Sequence, residues 1–199
     1  MIIGFCGEAN SGKTVSQKYL LSKIKRVHPI TLAHPIKKIT KKIYNLSLSQ
    51  VYGTLKEKET IDPRYNLAPR QLLQDLGSLL RDELYEDIWV ESAYNRMLEI
   101  DAANGEKHIF VIDDVRYYNE VKFLKDRDAV MIKLECPDNA KSQYSEHQSE
   151  QMHLIPSWYF DYKIVCNKSD NAKLLKDALD GIILDLINKK YPIERDLHG

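Results

Sequence analysis

Short apolar runs alternate along this chain with longer stretches in which apolar side chains recur every third or fourth residue. The runs read as buried strands and the recurring stretches as helices, because side chains repeat every two residues in a strand and about every 3.6 in a helix. Met1 to Cys6 is the first run, and Leu20, Ile24 and Val27 then recur at helical spacing. Ile30 to Ala33 reads as a second strand, and His34-Pro35 opens a helix with Ile36, Ile39 and Ile43 on its buried face. Proline suits a first helical turn, where its missing N–H has no partner to lose. Residues 46–66 are polar and mixed, which predicts a mobile, partly helical insert. Pro69 begins another helix that gathers Leu72, Leu73, Leu76, Leu79 and Leu80 on one side. Asp87 caps the next, with Val90, Ala93, Tyr94, Met97 and Ile100 inside and Asn104-Gly105 at its end. His108 to Ile112, Ala129 to Leu134 and Tyr162 to Cys166 are three further strands. A helix starts near Asn119-Glu120, and the last runs from about Ser169 with Leu175, Leu179, Ile182 and Leu186 buried. Strands alternating with helices predict an α/β fold: a five-stranded parallel sheet with helices on both faces and ligands beyond the strand C-termini.

The junction of the first strand and first helix changes the picture from fold to chemistry. Gly7-Glu8-Ala9-Asn10-Ser11-Gly12-Lys13-Thr14 fits G-x-x-x-x-G-K-[ST], a P-loop. Glycines let backbone N–H groups turn inward on an anion, and the helix N-terminus adds positive potential. Gly7, Asn10, Ser11, Gly12, Lys13 and Thr14 are therefore the expected nucleotide-binding residues, with Lys13 reaching the β- and γ-phosphates and Thr14 ligating Mg²⁺. Asp113 and Asp114 end the His108 strand, where a magnesium ligand belongs; the sequence leaves open which of them serves. The competing reading is an acidic cap on the following helix.

A second stripe lies on the Pro69 helix. Arg70, Gln74, Gly77 and Arg81 fall at i, i+4, i+7 and i+11, opposite the leucines. It is either a solvated face or a substrate wall. In the second case the arginines grip phosphate in fork geometry, Gly77 admits the ligand and Gln74 hydrogen-bonds a base.

Composition narrows the partners. The chain has 199 residues, with 29 basic and 29 acidic side chains, so the basic excess of a general nucleic-acid binder is missing. Its length suits a single domain, residues 1–199. Cys6, Cys136 and Cys166 lie far apart without metal-type spacing, as expected of core residues in a reducing compartment. A strand beginning at Met1 leaves no room for a signal peptide, and no apolar run approaches membrane-spanning length. The expected location is the cytoplasm.

Two motifs could mislead. Asn167-Lys168-Ser169-Asp170 spells N-K-x-D, the guanine-reading motif of GTPases. The D-x-x-G switch is missing, since Arg116 and Tyr117 stand three residues beyond the aspartates, and only one helix follows Asn167. Asn167 can instead line an adenine pocket. His147 and His153 are spaced i, i+6, off a common helix face, with no cysteine near.

The ordered set of segments resembles the deoxynucleoside monophosphate kinases of large bacteriophages, within the adenylate-kinase-like P-loop kinases. The matching pieces are the P-loop, Ala33 to Lys37, Ala68 to Gln74 with Leu76-Gly77, Asp87 to Val90, Asp114 to Glu120, His147 to Glu150, and Asn167. The resemblance implies ATP and Mg²⁺ as cofactors and a small-molecule deoxynucleoside monophosphate as acceptor. It also implies a helical acceptor-binding insert over about 46–103 and a lid over about 136–160. Lys13, Arg70 and Arg116 then carry catalysis, and Lys37, Arg70, Gln74, Gly77, Arg81, Arg116, Lys141 and Glu150 hold substrate. Lys141 is the lid's sole cation besides histidine. A homodimer is compatible with the same resemblance, while nucleic acid and membrane are not expected partners. Two other readings stand beside it: a nucleotide-driven switch, and a P-loop kinase with a different small acceptor.

Overall fold

The computed structural model describes residues 1–137, 154–167, 172–189, 191 and 193. The chain divides into two compact units, Met1–Thr31 with Ala93–Gly199, and Leu32–Ser92.

The first unit is built on five parallel strands: β1 (Ile2–Cys6), β2 (Val27–Ile30), β3 (Ile109–Val115), β4 (Val130–Glu135) and β5 (Tyr162–Val165). Their spatial order is β2-β3-β1-β4-β5. All five residues of the central strand β1 are buried, as a parallel strand covered on both faces requires. Ile3 and Phe5 join Leu20 of α1 (Lys13–Lys23), Ile24 just past its end, and Leu175, Leu179, Ile183 and Leu186 of α8 (Lys173–Asn188) in one apolar cluster. Helix α7 (Tyr118–Lys125) packs on β1 and β4 through the buried Val121 and Leu124. The C-terminal part of α6 (Ile88–Asn104) buries Ala93 and Met97.

The second unit holds α2 (His34–Ile43), α3 (Leu48–Tyr52), α4 (Leu55–Glu59), α5 (Pro69–Glu83) and the start of α6. Its small core is Leu46, Val51 and Leu72 with Tyr44, Tyr65, Leu67 and Leu73 packed around it. Helices α3 and α4 have five residues each, too short to persist on propensity alone. Each begins with a reciprocal capping box, Ser47 with Gln50 and Thr54 with Glu57, which satisfies two otherwise orphaned N–H groups. The buried Asp62 ties the segment after α4 together, accepting from Gln50 Nε2 and from Arg64 Nε and Nη2.

Two sequence expectations are corrected. The second strand is Val27–Ile30 and not Ile30 to Ala33, so Val27 belongs to the sheet and not to α1. Ile24 leaves the helix in extended conformation and Arg26 turns at φ 57°, which ends α1 earlier than its apolar spacing suggests. Pro29 lies inside this strand. It is tolerated because β2 is the sheet edge, where one missing N–H disturbs no second neighbour. On α5, Leu79 is 55 % exposed whereas Arg81 is only 5 % exposed, so the leucine and arginine stripes do not divide cleanly into inside and outside.

Candidate active site

The loop between β1 and α1 is shaped by two positions that admit no side chain. Gly12 has φ +97°, the left-handed region that favours glycine. A Cβ on Gly7 would lie 2.4 Å from the Leu134 carbonyl and 2.6 Å from Ser11 Oγ. Gln17 Nε2 donates to the Val111 carbonyl at 3.0 Å, fixing α1 to β3. The helix therefore presents its first turn, which carries no acidic residue, at the end of β1. Lys13 is the first helical residue and is 8 % exposed. Its ammonium donates to the Gly7 and Glu8 carbonyls, each at 2.5 Å, so the loop closes over it. Ser11 Oγ is buried with no hydrogen-bond partner. An orphaned buried donor costs free energy unless a ligand meets it. Glycine cradle, ammonium and unsatisfied hydroxyl fit the phosphates of a nucleoside triphosphate.

Across the sheet, Thr14 Oγ1 donates to Asp113 Oδ2 at 2.8 Å. The partner is set by strand register. Gly4 stands against Ile112 and Cys6 against Val115, so Asp113 and Asp114 together oppose the single residue Phe5. One extra residue in β3 locally disrupts the ladder and re-aims the side chains there. The resulting oxygens, one hydroxyl and one carboxylate, suit Mg²⁺, which takes one or two carboxylates and completes its shell with water and substrate phosphate.

Beyond Asp114 the chain is held by a buried carboxylate. Glu120 Oε2 accepts from the backbone N–H of Arg116 at 2.8 Å and of Tyr117 at 3.0 Å. Burial pushes the Glu120 carboxyl up to about 7, against the two N–H bonds that favour its charged form. The segment carrying Arg116 is thus fixed from within the fold. Cys6 is fully buried, and burial pushes its thiol up to about 12, which leaves it inert as a nucleophile.

In the second unit, Arg70 sits in the first turn of α5 and its Nη1 lies 3.4 Å from Glu59 Oε1. The Lys37 ammonium stands over the Tyr52 ring, 5.6 Å from its centroid. Arg81 is turned into the protein, with Nε donating to Asp82 Oδ1 at 2.9 Å and Nη2 near Ser78 Oγ at 3.3 Å. Gln74 and Gly77 are half-buried. The Gly77 carbonyl accepts from Trp89 Nε1 at 3.1 Å, and a Cβ at Gly77 would make ordinary contact with Ile36 at 3.8 Å.

No protein-family model matches the chain. A protein of Acanthamoeba polyphaga mimivirus, provisionally named a deoxynucleotide monophosphate kinase, is 34 % identical over 180 residues. That match covers 85 % of this chain and 90 % of the viral protein. The chain belongs to the deoxynucleotide monophosphate kinase family. The deoxynucleoside-5'-monophosphate kinase of Escherichia phage T5 is 31 % identical over 116 residues, 55 % of this kinase and 43 % of the phage enzyme. Among solved structures, dephospho-CoA kinase from Campylobacter jejuni aligns over 96 % of this chain and 98 % of its own, with a TM-score of 0.51 at 14 % identity. That likeness concerns the fold, which is the P-loop kinase fold expected from the strand and helix pattern.

Of the residues singled out in the sequence, this kinase brings Gly7, Ser11, Gly12, Lys13, Thr14 and Asp113 together in the first unit, with Arg116 following on the same strand end. Asn10 turns the loop at φ 61°, and Asn167 is an exposed residue just past β5. Arg70 meets Glu59 in the second unit. Lys141, His147, Glu150, His153 and Lys168 to Asp170 lie outside the described residues. Sequence reasoning placed Glu120 at a helix start and in the segment that resembles the family, and gave its carboxylate no task. Its four-residue distance from Arg116 was the available signal, but burial and the direction of its side chain were not readable from spacing.

Proposed function

We propose that this kinase transfers the γ-phosphoryl group of ATP to a deoxynucleoside monophosphate, giving ADP and the deoxynucleoside diphosphate. Family membership carries the reading, and the glycine loop with Lys13 and Thr14 is the chemistry it needs. An oxygen of the acceptor phosphate forms the new P–O bond to the γ-phosphorus while the bond to the β-phosphate oxygen breaks, and ADP leaves with that electron pair. The attacking oxygen is already anionic near neutral pH, so no general base is required. The obstacle is repulsion between two anions, and catalysis reduces to positioning and charge neutralisation.

Lys13 would hold the donor phosphates and the transferring group. Thr14 and Asp113 would hold Mg²⁺, which when bound neutralises charge on phosphate oxygens. Arg70 and Arg116 would grip the acceptor phosphate, Gln74 would read the base edge, and Asn167 would line the adenine site. Lys37, Gly77 and Arg81 complete the acceptor side, and Lys141 and Glu150 the lid. Among the described residues no helix is long and apolar enough to cross a membrane. With three free thiols, this supports our assignment to the cytoplasm.

The test is a panel: purified protein with ATP, Mg²⁺ and each nucleoside monophosphate in turn, followed by ADP release. Acceptor-dependent ADP with at least one deoxynucleoside monophosphate is the expected result. ADP release indifferent to every acceptor would mean a nucleotide-driven switch, and the reading would be abandoned.

A further inference from the structure

A glycine inside a helix or strand lowers stability relative to alanine, so each one needs a reason. Gly7 and Gly12 have theirs in the phosphate loop, and a Cβ on Gly4 of β1 would lie 2.7 Å from Met131 Sδ. Gly77, in the interior of α5, has no such reason among the described residues. Its φ is not positive, and a Cβ there would meet one described atom, Ile36 Cγ1, at the ordinary contact distance of 3.8 Å. Alanine would fit. Gly181, within α8, also lacks a close neighbour, but it is exposed and faces open space. Gly77 is half-buried and held from two sides. Helix α2, which carries Ile36, packs against α5, and Trp89 Nε1 donates to the Gly77 carbonyl at 3.1 Å. Ile36 and Trp89 are both buried, so these two supports are set in the interior of the second unit. Gln74, three residues earlier on the same face of α5, is half-buried as well. The result is a fixed, methyl-sized notch with an apolar flank and an amide one turn away.

We propose that the notch at Gly77 seats the nucleobase of the acceptor monophosphate, with the ring lying across Gly77 and Ile36 and its edge at Gln74. The inference rests on the proposed function and says which part of the acceptor meets this wall. A nucleobase is flat and apolar on its faces, while its edge carries hydrogen-bond donors and acceptors. Its face needs close approach and an apolar neighbour, which the glycine backbone and the isoleucine supply. Its edge needs a group that both donates and accepts, and a glutamine amide does both. The isoleucine flank suits a ring and offers nothing to a phosphate. A methyl group at Gly77 would lift the ring off the helix and away from the amide. The chain thus gives up helix stability at this position for room that only a ligand uses.

The experiment compares wild type, Gly77→Ala and, as a control for the gain in helix propensity alone, Gly181→Ala. Thermal unfolding gives Tm without ligand. Steady-state kinetics give KM for ATP and for the best deoxynucleoside monophosphate, and inhibition by deoxyribose phosphate gives Ki for an acceptor that lacks the base. Both variants should show a raised Tm. Gly77→Ala should raise the monophosphate KM roughly tenfold, the scale of one misfitted methyl group in a binding pocket. Its ATP KM and deoxyribose phosphate Ki should stay near wild type, and Gly181→Ala should keep every kinetic constant. A lowered Tm in Gly77→Ala would mean that packing demands the glycine, and an unchanged monophosphate KM would mean that no ligand uses the notch; either overturns the assignment. An equal rise in the deoxyribose phosphate Ki would put the sugar phosphate there and overturn it too. If wild type itself turns over no monophosphate, the proposed function fails first, and the two failures are told apart.

Discussion

Thr14 Oγ1 and Asp113 Oδ2 are 2.8 Å apart although 99 residues separate them in the chain. The hydroxyl sits in the first turn of α1 and the carboxylate at the end of β3, so the contact joins the phosphate loop to the neighbouring strand. It exists because β1 and β3 pair with one extra residue in β3.

That contact predicts unequal roles for the two aspartates. Asp113→Asn should lower kcat/KM by about 10- to 100-fold and raise the Mg²⁺ concentration needed for half-maximal rate. Asp114→Asn should do less. Thr14→Ala with Asp113→Asn should lose less than the sum of the single losses, because each single change already breaks the shared contact. Kinetics across a magnesium titration read all three effects; additive losses would mean the two side chains act independently.

The charge-bearing residues should separate by kinetic constant. Lys13→Ala should abolish phosphoryl transfer, since in the proposed mechanism Lys13 would hold the transferring group. Arg70→Ala should chiefly raise KM for the monophosphate, by roughly 10-fold or more for a charged contact. Unchanged turnover of Arg70→Ala at limiting acceptor would remove this arginine from the site.

The loop glycines are a backbone requirement. Gly12→Ala places a Cβ at φ +97° and 2.9 Å from Leu175 Cδ2. The left-handed conformation alone costs about 1–2 kcal/mol for a residue with a side chain. Thermal unfolding should show a lowered Tm, with ATP affinity falling as the loop distorts. Gly7→Ala should be worse, because the atom it meets at 2.4 Å is a strand carbonyl that cannot swing aside.

Glu120 predicts a pH dependence of stability opposite to the usual acid lability. Its pKa is raised by burial from 4.5 to about 7. A raised carboxyl binds its proton more tightly in the folded state, so its contribution is fully present below 4.5 and is lost as pH rises through 7. The full loss is about 3 kcal/mol for a shift of this size in a buried group. Glu57, Asp62, Glu135 and Asp185 are lowered by their partners, and their contribution is lost as pH falls below their ordinary values. Denaturant midpoints from pH 5 to 8 should therefore decline for wild type and stay flatter for Glu120→Gln. Equal slopes in the two proteins would exclude Glu120 as the source.

How much of this was legible beforehand follows from the range of each interaction. Residues 7–14 specify their loop locally: two positions where a side chain would clash or strain, then a lysine and a threonine opening a helix. Those constraints act within a few residues and can be read in a row of letters. The central strands were equally plain, since sheets covered on both faces need unbroken apolar runs. Strand β2 was misplaced because its edge position, which excuses Pro29, is a property of the assembled sheet. The exposure of Leu79 and burial of Arg81 were not readable because periodicity describes a helix by itself and not what packs around it.

The sequence by itself determined a phosphate-binding loop at the head of a parallel α/β sheet, and two adjacent aspartates at the end of a strand. Only the tertiary structure decided which aspartate meets Thr14, that Glu120 is buried behind Arg116, and that no described neighbour of Gly77 demands a glycine. The reason is physical. Backbone conformation and hydrophobic period are set by neighbours in the chain, whereas strand register, burial and the meeting of charges depend on residues that only folding brings together.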